Sequence, residues 1–517
     1  MNKLKLFLNN FLIYGLGGTI SKIIPLIMIP IVTRLMPNSE YFGTSDMLST
    51  ILSFASAFAI MGMYDAMYRM FFEKDDETYK KEICSTAFVF TIGTSLIVFI
   101  LLIVLKNQLA DWFLDDKGLS NLIYITAVAT LVGATNSIVS APTRMQNKRI
   151  IYIVMNAVTP IVSYSISIPL LLTGHYLIAL PLAGMISAVL SEIVFLILNR
   201  KWFSFKMIKL KYIKPLVALA LPLLPNFIIY WIFDSCDKLM ITKMIGIGAE
   251  GVYSVGSKLG HASQLIYTAF AAGWQYFAFS LMKEKNQVKS NSRIFEYLGI
   301  ISFVCSMMVF ALSDPIFKLL FEEEYHSVFI VAPYLFLSPL LLMLFQVIDN
   351  QFLVVKKTWP NIFILTVGAG LNILLDYLLI PILGIEGAAI ATLSGYLVSL
   401  VICVIVLYCM KLITVRWQFY AAVGVTSAYI LIWRLLTIDI VWLNVVLAVV
   451  FGAILVLLYL KDIRGLIRGI RNKGKDEVRD APSAEEPADT ETEKVGEIEA
   501  DTVAENIESC GGAQGGS

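Results

Sequence analysis

Long apolar segments recur along the whole chain, and each is close to the length that crosses a lipid bilayer. A bilayer core of about 30 Å requires about 20 apolar residues in a helix, and such segments follow one another between residues 8 and 460. Of the 517 residues, 58% are apolar and 15% are charged, whereas a soluble domain is about 45–50% apolar and about 25% charged. Because water-soluble cores stop growing beyond about 250–300 residues, this composition predicts an all-α integral membrane protein.

About fourteen transmembrane helices are predicted from these segments. The amino-terminal segment has no small-residue cleavage site and continues to Met36, which favours a retained first helix over a removed signal peptide. Prolines interrupt several segments, and a helix bundle tolerates such breaks. The predicted helices span residues 8–36, 44–71, 83–105, 119–143, 150–173, 177–199, 215–243, 252–282, 295–313, 328–355, 361–382, 386–410, 418–437 and 441–460.

The distribution of lysine and arginine predicts the orientation of these helices. With the amino terminus inside, basic residues concentrate in the inner loops, from Lys80 and Lys81 to Lys461 and Arg464 at the start of the tail. The outer loops carry the acidic groups Asp111, Asp115, Asp116, Glu322, Glu323 and Glu324. The positive-inside rule therefore places both termini in the cytoplasm. We expect the protein in the inner or plasma membrane.

Two short segments suggest an internal repeat. Residues 34–43 read RLMPNSEYFG and residues 243–251 read KMIGIGAEG, and each follows a helix that contains prolines. A repeat that relates two halves is typical of transporters, which hold their substrate between the halves.

Several classes of enzyme are excluded by what the sequence lacks. The six cysteines have no disulfide or zinc spacing, and the three histidines are far apart. The chain has no P-loop and no nucleotide-binding glycine motif. We therefore predict no metal site, no cofactor and no ATP hydrolysis.

Charged residues at membrane depth are candidate functional groups, because each costs about 2.5–3.5 kcal/mol on insertion scales. Lys22 and Lys258 have no acidic residue at i±3 or i±4, so their counter-charge must come from elsewhere. A water-filled cavity or an anionic ligand would supply it, and phosphate is the expected anion because lysine binds phosphate as a point charge.

Other charged residues have a possible partner within their own helix. Asp65 with Arg69, and Asp234 with Lys238, have the i,i+4 spacing of structural ion pairs. Asn372 and Asp376 share a helix face by the same spacing. The carboxylates Asp65, Asp237 and Asp376 are candidates for coupling transport to protons or sodium.

Four segments resemble the bacterial polysaccharide transporters of the multidrug/oligosaccharidyl-lipid/polysaccharide exporter superfamily. The segments are IPIVTRLMPNSEYFGTSDM (29–47), MGMYDAMYRMFF (61–72), ALPLLPNFIIYWIFDSCDKLMITKMIGIGAEGVYSVGSKLG (220–260) and LNILLDYLLIPILGIEGAAIATLSGYL (371–397). The resemblance implies two six-helix bundles, related by a pseudo-repeat, around a central cavity, with two further helices at the carboxyl end. It also implies a flippase that moves an undecaprenyl-diphosphate-linked oligosaccharide from the inner to the outer leaflet.

The resemblance also suggests site residues. Related lipid II flippases use cavity arginines on helices one, two and eight, where this chain has Lys22, Arg69 and Lys258. We therefore expect the diphosphate to bind in the cavity at Lys22, Arg69, Lys238, Lys258 and Asn372.

The predicted organisation of the chain follows from these points. Residues 1–210 form the N-terminal bundle with a cytoplasmic linker, 211–410 the C-terminal bundle, and 411–460 two additional helices. Residues 461–475 are a basic juxtamembrane segment. The acidic composition from 476 to 517, without any aromatic residue, predicts a disordered tail that is either a solvated extension or a docking segment for a partner enzyme.

Competing functions remain open at this point. A cation-coupled multidrug exporter of the same fold would favour a carboxylate-lined cavity, and a lipid II flippase is a second alternative. A polytopic glycan-assembly enzyme is less consistent with the chain, which has short outer loops and no DxD motif. A membrane scaffold would gain nothing from lysines at membrane depth. The expected partners are the lipid-linked oligosaccharide, the bilayer, and a polymerase or glycosyltransferases; we expect a monomer that binds no nucleic acid.

Overall fold

The computed structural model describes residues 22–266, 286–355, 359–462 and 464, and all regular secondary structure in these ranges is helical. The first helix, α1, spans residues 22–35. The first half of the chain then has α2 Ser39–Ile60, α3 Met63–Phe71, α4 Glu77–Val104, α5 Leu122–Met145, α6 Arg149–Leu172 and α7 Tyr176–Asn199. The second half has α8 Ile213–Ala220, α9 Leu224–Met244, α10 Ile247–Gly260, α11 Gln287–Leu320, α12 Val328–Val354, α13 Trp359–Leu383, α14 Ile385–Cys409, α15 Trp417–Ile432 and α16 Val441–Leu458.

The predicted membrane fold is confirmed. Within the described ranges, eleven helices are long and apolar enough to cross a membrane, and the bent pair α2–α3 brings the number to twelve. Each overlaps a predicted helix. The predicted first and eighth helices, 8–36 and 252–282, extend beyond the described residues, so the count of fourteen stays a prediction.

The predicted helix 44–71 is broken in the structure. Met61 and Gly62 have φ angles of 49° and 72°, and α3 leaves the direction of α2 by 43°. Glycine adopts this left-handed conformation readily. A Cβ on Gly62 would also lie 2.7 Å from the carbonyl oxygen of Ala220, so the close approach of α8 requires glycine at the bend.

The helices pack into two bundles. In the first bundle α5 contacts α2, α4 and α7, and α7 also contacts α6. In the second, α12 contacts α10, α11 and α14, and α13 packs along α14. The last two helices, α15 and α16, pack on α11. The linker between the bundles is anchored to α4, because the backbone N–H groups of Ser204 and Lys209 donate to the hydroxyls of Ser85 and Thr86 at 3.0 and 3.1 Å.

The two bundles meet most closely where α2 crosses α10. A Cβ on Gly43 would lie 2.2 Å from the carbonyl oxygen of Ile247, and one on Gly251 would lie 2.1 Å from that of Ser39. Only glycine allows the two backbones to approach in this way. Gly43 and Gly251 are the last residues of the two segments that suggested the repeat, so these segments pack against each other.

Further contacts between the bundles surround this crossing. The guanidinium of Arg34 donates to the carbonyl oxygen of Leu320 at 3.0 Å, and the backbone N–H of Ser39 donates to the carboxylate of Glu324 at 2.9 Å. Apolar residues from both halves, including Val32 and Phe321, form one buried cluster there. We call this region the closed end.

Candidate functional site

A cavity of about 750 Å³ lies between the two bundles. Its walls come from α1, α2, α5, α6 and α7 of the first bundle, from α9 and α10 of the second, and from residues 261–265. Along α2 the lining runs from Phe42 to Ser56, so the cavity begins beneath the closed end and extends away from it. Serine, lysine and aspartate side chains form polar patches on a wall that otherwise consists largely of apolar residues.

An ion bridge between the bundles forms the floor of the cavity. Asp46, on α2, is only 4% exposed. Its Oδ2 lies 2.9 Å from Nζ of Lys238 on α9, and its Oδ1 accepts a hydrogen bond from Nζ of Lys258 on α10. One carboxylate of the first bundle therefore holds two lysines of the second bundle, one with each oxygen.

A second carboxylate lies close to this bridge. Glu250, on α10, is fully buried, and its Oε2 is 3.0 Å from where a Cβ on Gly43 would be. Neither carboxylate oxygen accepts a hydrogen bond from the part of the chain that the structure describes. An unpaired buried charge is costly, so Glu250 requires either a proton or the positive charge of the nearby lysines.

The far part of the cavity carries further polar groups. Lys22, on α1, donates from Nζ to the side-chain oxygen of Gln264 at 3.2 Å. Nε2 of His261 lies 3.9 Å from Oδ1 of Asp234, and its Nδ1 lies 3.1 Å from the hydroxyl of Ser257. The structure thus places the predicted cations Lys22, Lys238 and Lys258 on the wall of one cavity.

A separate polar cluster is buried inside the second bundle, between α9, α10, α13 and α14. The hydroxyl of Tyr253 donates to Asp237, and that of Thr392 lies 3.4 Å from the same carboxylate. Nδ2 of Asn372 donates to the Thr392 hydroxyl at 3.3 Å. Asp376 is fully buried, and neither its oxygens nor Oδ1 of Asn372 accept a hydrogen bond within the described ranges. Oxygen atoms of this kind are the ligands that hard cations prefer.

Five of the predicted site residues lie elsewhere than the cavity wall. Arg69 and Asp65 are exposed on α3 and do not line the cavity. They form no ion pair with each other among the described residues, so the pairing expected from their spacing was wrong. Asn372 belongs to the buried cluster with Asp237 and Asp376, and Asp65 is not part of that cluster. The roles of Arg69 and Asp65 stay predictions.

The sequence patterns did not identify the partners of the lysines. Asp46 and Glu250 were not singled out, and the expected pairing of Lys238 with Asp234 is replaced by the bond between Lys238 and Asp46. The signal that could have identified them is position. Asp46 follows the first repeat segment by three residues, and Glu250 lies within the second.

Comparisons with known proteins agree with this architecture. The family model described as "Polysaccharide biosynthesis protein" matches residues 31–330. No curated protein sequence matches the chain.

Several solved structures share the fold. An inward-closed structure of the lipid II flippase MurJ aligns with a TM-score of 0.67 and 17% identity over 89% of this chain and 99% of that one. An inward-facing multidrug resistance MATE family transporter of the MOP superfamily aligns with a TM-score of 0.56 and 11% identity, over 78% and 94%. The Vibrio cholerae MATE transporter VcmN in its bent form aligns with a TM-score of 0.53 and 13% identity, over 78% and 97%.

Proposed function

Because the chain belongs to the polysaccharide biosynthesis protein family, we propose that it is the flippase for an undecaprenyl-diphosphate-linked oligosaccharide repeat unit. It moves this lipid from the cytoplasmic to the outer leaflet for the synthesis of a cell-surface polysaccharide. The family match and the shared fold support a multi-pass membrane transporter with a flippase-like fold.

The observation that carries the proposal is the lysine-lined cavity between the bundles. A diphosphate cannot enter hydrocarbon without partners. Lys238 and Lys258 at the floor and Lys22 further along the wall offer positive charge over the length of the cavity. A cation-coupled drug exporter would instead need a cavity dominated by carboxylates. The hydroxyls of Ser45, Ser49 and Ser56 suit the sugars, while the lipid tail stays in the bilayer.

The proposed orientation gives the closed end a role. The positive-inside rule places the α1–α2 and α9–α10 turns on the outer side, so the closed end faces outward and the cavity extends toward the cytoplasm. This geometry supports a resting state that receives cargo from the inner leaflet, followed by alternating access.

The buried cluster around Asp237 and Asp376 is our proposed coupling site. A proton or a monovalent cation there would compensate the negative charge of the two carboxylates. Asp237 accepts a hydrogen bond from Tyr253, whereas Asp376 has no donor among the described residues. The membrane potential also favours outward movement of the anionic cargo, by about 2.3 kcal/mol per charge per 100 mV. No ATP-binding motif is needed for either driving force.

The proposal is tested by mass spectrometry of lipid-linked sugars from cells depleted of the protein. We expect the complete oligosaccharide to accumulate on undecaprenyl diphosphate and to be cleared when the intact gene is restored. Truncated sugars would indicate an assembly enzyme instead, accumulated lipid II a cell-wall flippase, and an unchanged lipid pool a drug exporter.

Substitutions then test the cavity. Lys258→Ala and Lys22→Ala should leave the lipid-linked oligosaccharide uncleared at normal membrane abundance, because each removes a cation from the wall. Lys243→Ala is the matched control. Lys243 does not line the cavity, and its Nζ lies 2.7 Å from Oδ1 of the exposed Asp115. Full clearance by both cavity variants would contradict the proposed diphosphate site.

A further inference from the structure

We infer that Asp46 is an internal stand-in for the diphosphate of the cargo. It holds Lys238 and Lys258 when no diphosphate is bound, and the arrival of a diphosphate on these lysines releases the contact between the two bundles. The inference rests on the proposed function, because it takes a polyprenyl diphosphate as the ligand. Asp46 is then a positioning residue, and opening of the closed end depends on the binding of cargo.

The geometry of the bridge is the first argument. Asp46 uses one oxygen for each lysine, at 2.9 Å for Lys238 and in a short hydrogen bond for Lys258. Two lysines held about one anionic group present the arrangement that phosphate oxygens also satisfy. Asp46 comes from the first bundle and both lysines come from the second, so the same bond that occupies the lysines also joins the bundles.

The balance of charge is the second argument. Asp46 is almost fully buried, and a buried carboxylate or lysine that loses its partner without replacement is strongly disfavoured. Separation of the bundles at this point is therefore opposed until another anion takes the lysines. A diphosphate carries more negative charge and more acceptor oxygens than one carboxylate, so it competes well for both Nζ groups.

Glu250 adds a third carboxyl group next to this exchange. It is fully buried beside the bridge, and it belongs to α10, the helix that carries Lys258. Once a diphosphate binds, Asp46 and the ligand are two anionic groups that compete for two lysines, next to the buried carboxyl group of Glu250. Glu250 moves with the lysines, whereas Asp46 belongs to the other bundle. Asp46 and α2 are therefore the parts that are driven away.

The position of the bridge connects the exchange to the closed end. Asp46 follows Gly43 by less than one helical turn, and Lys258 follows Gly251 by about two turns. The helices that carry the bridge are thus the helices whose backbones cross at the closed end. Loss of the Asp46 bond removes a restraint next to that crossing.

A cysteine introduced at position 254, beneath the closed end, reports opening through its rate of labelling. Ser254 is fully buried on α10, one turn from both Glu250 and Lys258, and Ser254→Cys changes a single atom. The reporter is placed in a full-length protein whose native cysteines are replaced, reconstituted in nanodiscs. Its labelling rate with a water-soluble maleimide is measured with and without farnesyl diphosphate, and binding of the same probe is measured by calorimetry.

With Asp46 present, the probe should raise the labelling rate at least tenfold. Asp46→Asn should be labelled rapidly without the probe, and should bind the probe several-fold more tightly because the internal competitor is gone. Asp46→Glu, which keeps the charge, should restore dependence on the probe. A residue with only a structural role would not increase ligand affinity when it is removed.

Asp234→Asn is the matched control. It removes one carboxylate from the wall of the same cavity, but Asp234 is exposed and its contact with His261 lies within one bundle. Its labelling should stay slow without the probe and rise with it. If the probe binds the wild type but neither the labelling rate nor the affinity depends on Asp46, the inference is overturned while the proposed function stands. If the probe binds none of the variants, both are overturned.

Discussion

Asp376 and Asp237 are buried carboxylates in the second bundle, but their surroundings differ. Asp237 accepts a hydrogen bond from Tyr253, whereas the oxygens of Asp376 have no donor among the described residues. A buried charge without donors must bind a proton or a cation to be tolerated. The difference between the two residues predicts opposite effects of the same substitution.

Asp376→Asn should raise the thermal stability of the detergent-purified protein and remove any dependence of stability on Na⁺. Asp237→Asn should lower the free energy of unfolding by about 1–3 kcal/mol, because it weakens the satisfied bond to Tyr253. Scanning fluorimetry in Na⁺ and in choline buffers measures both. Asp115→Asn on the surface is the control, and equal destabilisation by the two buried variants would contradict this account.

The lysines singled out from the sequence line the cavity, and their role in binding a diphosphate stays a prediction. The carboxylate that holds two of them was not predicted. The absence of an acidic residue one turn from Lys22 or Lys258 indicated a counter-charge on another helix, and Asp46 provides it for Lys258. Asp46 is separated from Lys238 by 192 residues and from Lys258 by 212. Spacing within a helix carries no information about such a contact, because bundle packing alone brings these positions together.

Among the helices, α15 and α16 are tied to α11 by one buried carboxylate. Glu296, which is 1% exposed, accepts from the backbone N–H of Arg416 at 2.8 Å and from its Nε at 2.6 Å. The Tyr459 hydroxyl lies 3.3 Å from the same group. One side chain thus fixes the start of α15 and the residue that follows α16.

Glu296→Gln should lower the free energy of unfolding by about 1–3 kcal/mol, because the charged acceptor of several donors is lost. It should also make the α15–α16 pair more accessible to protease than the rest of the chain. Asp314→Asn on the same helix is the control; it affects an i,i+4 pair with Lys318, whose contribution is about 0.3–0.5 kcal/mol. Equal effects of the two variants would show that Glu296 does not hold this helix pair.

Helix positions were largely predictable, because length and apolar composition decide whether a segment can cross a bilayer. The break between α2 and α3 was not. A single glycine within an apolar segment is tolerated in a helix, and neither Met61 nor Gly62 signals a bend by itself. The approach of Ala220 to Gly62 determines the bend, and that contact comes from a helix far away in the sequence.

At the scale of the whole molecule, the two halves are held together where their repeat segments meet. The sequence predicted the repeat and, through the family resemblance, the two bundles with a cavity between them. It could not predict that Gly43 and Gly251 contact each other. A repeat relates two segments by similarity, and only the packing of the bundles determines that they also touch.

Gly251→Ala should weaken the closed end, because its Cβ would lie 2.1 Å from a backbone oxygen that cannot move independently. Overpacking of this kind costs about 1–3 kcal/mol, measured as loss of thermal stability. Gly93→Ala on α4 is the control, since a Cβ there has nothing within 4 Å and helix propensity alone should stabilise it by about 0.5–1 kcal/mol. The same sign for both variants would contradict the close crossing.

The crossing at Gly43 and Gly251 also has an electrical consequence. A polar cavity between two bundles is a short route for protons and small ions unless one end excludes water completely. Two backbones in direct contact leave no space between them for a chain of water molecules. A protein of this kind can thus reside in a membrane that carries a potential without conducting protons or ions across it. A variant that separates the two backbones would be harmful as a conductor of ions, even in a cell that does not need the transport activity.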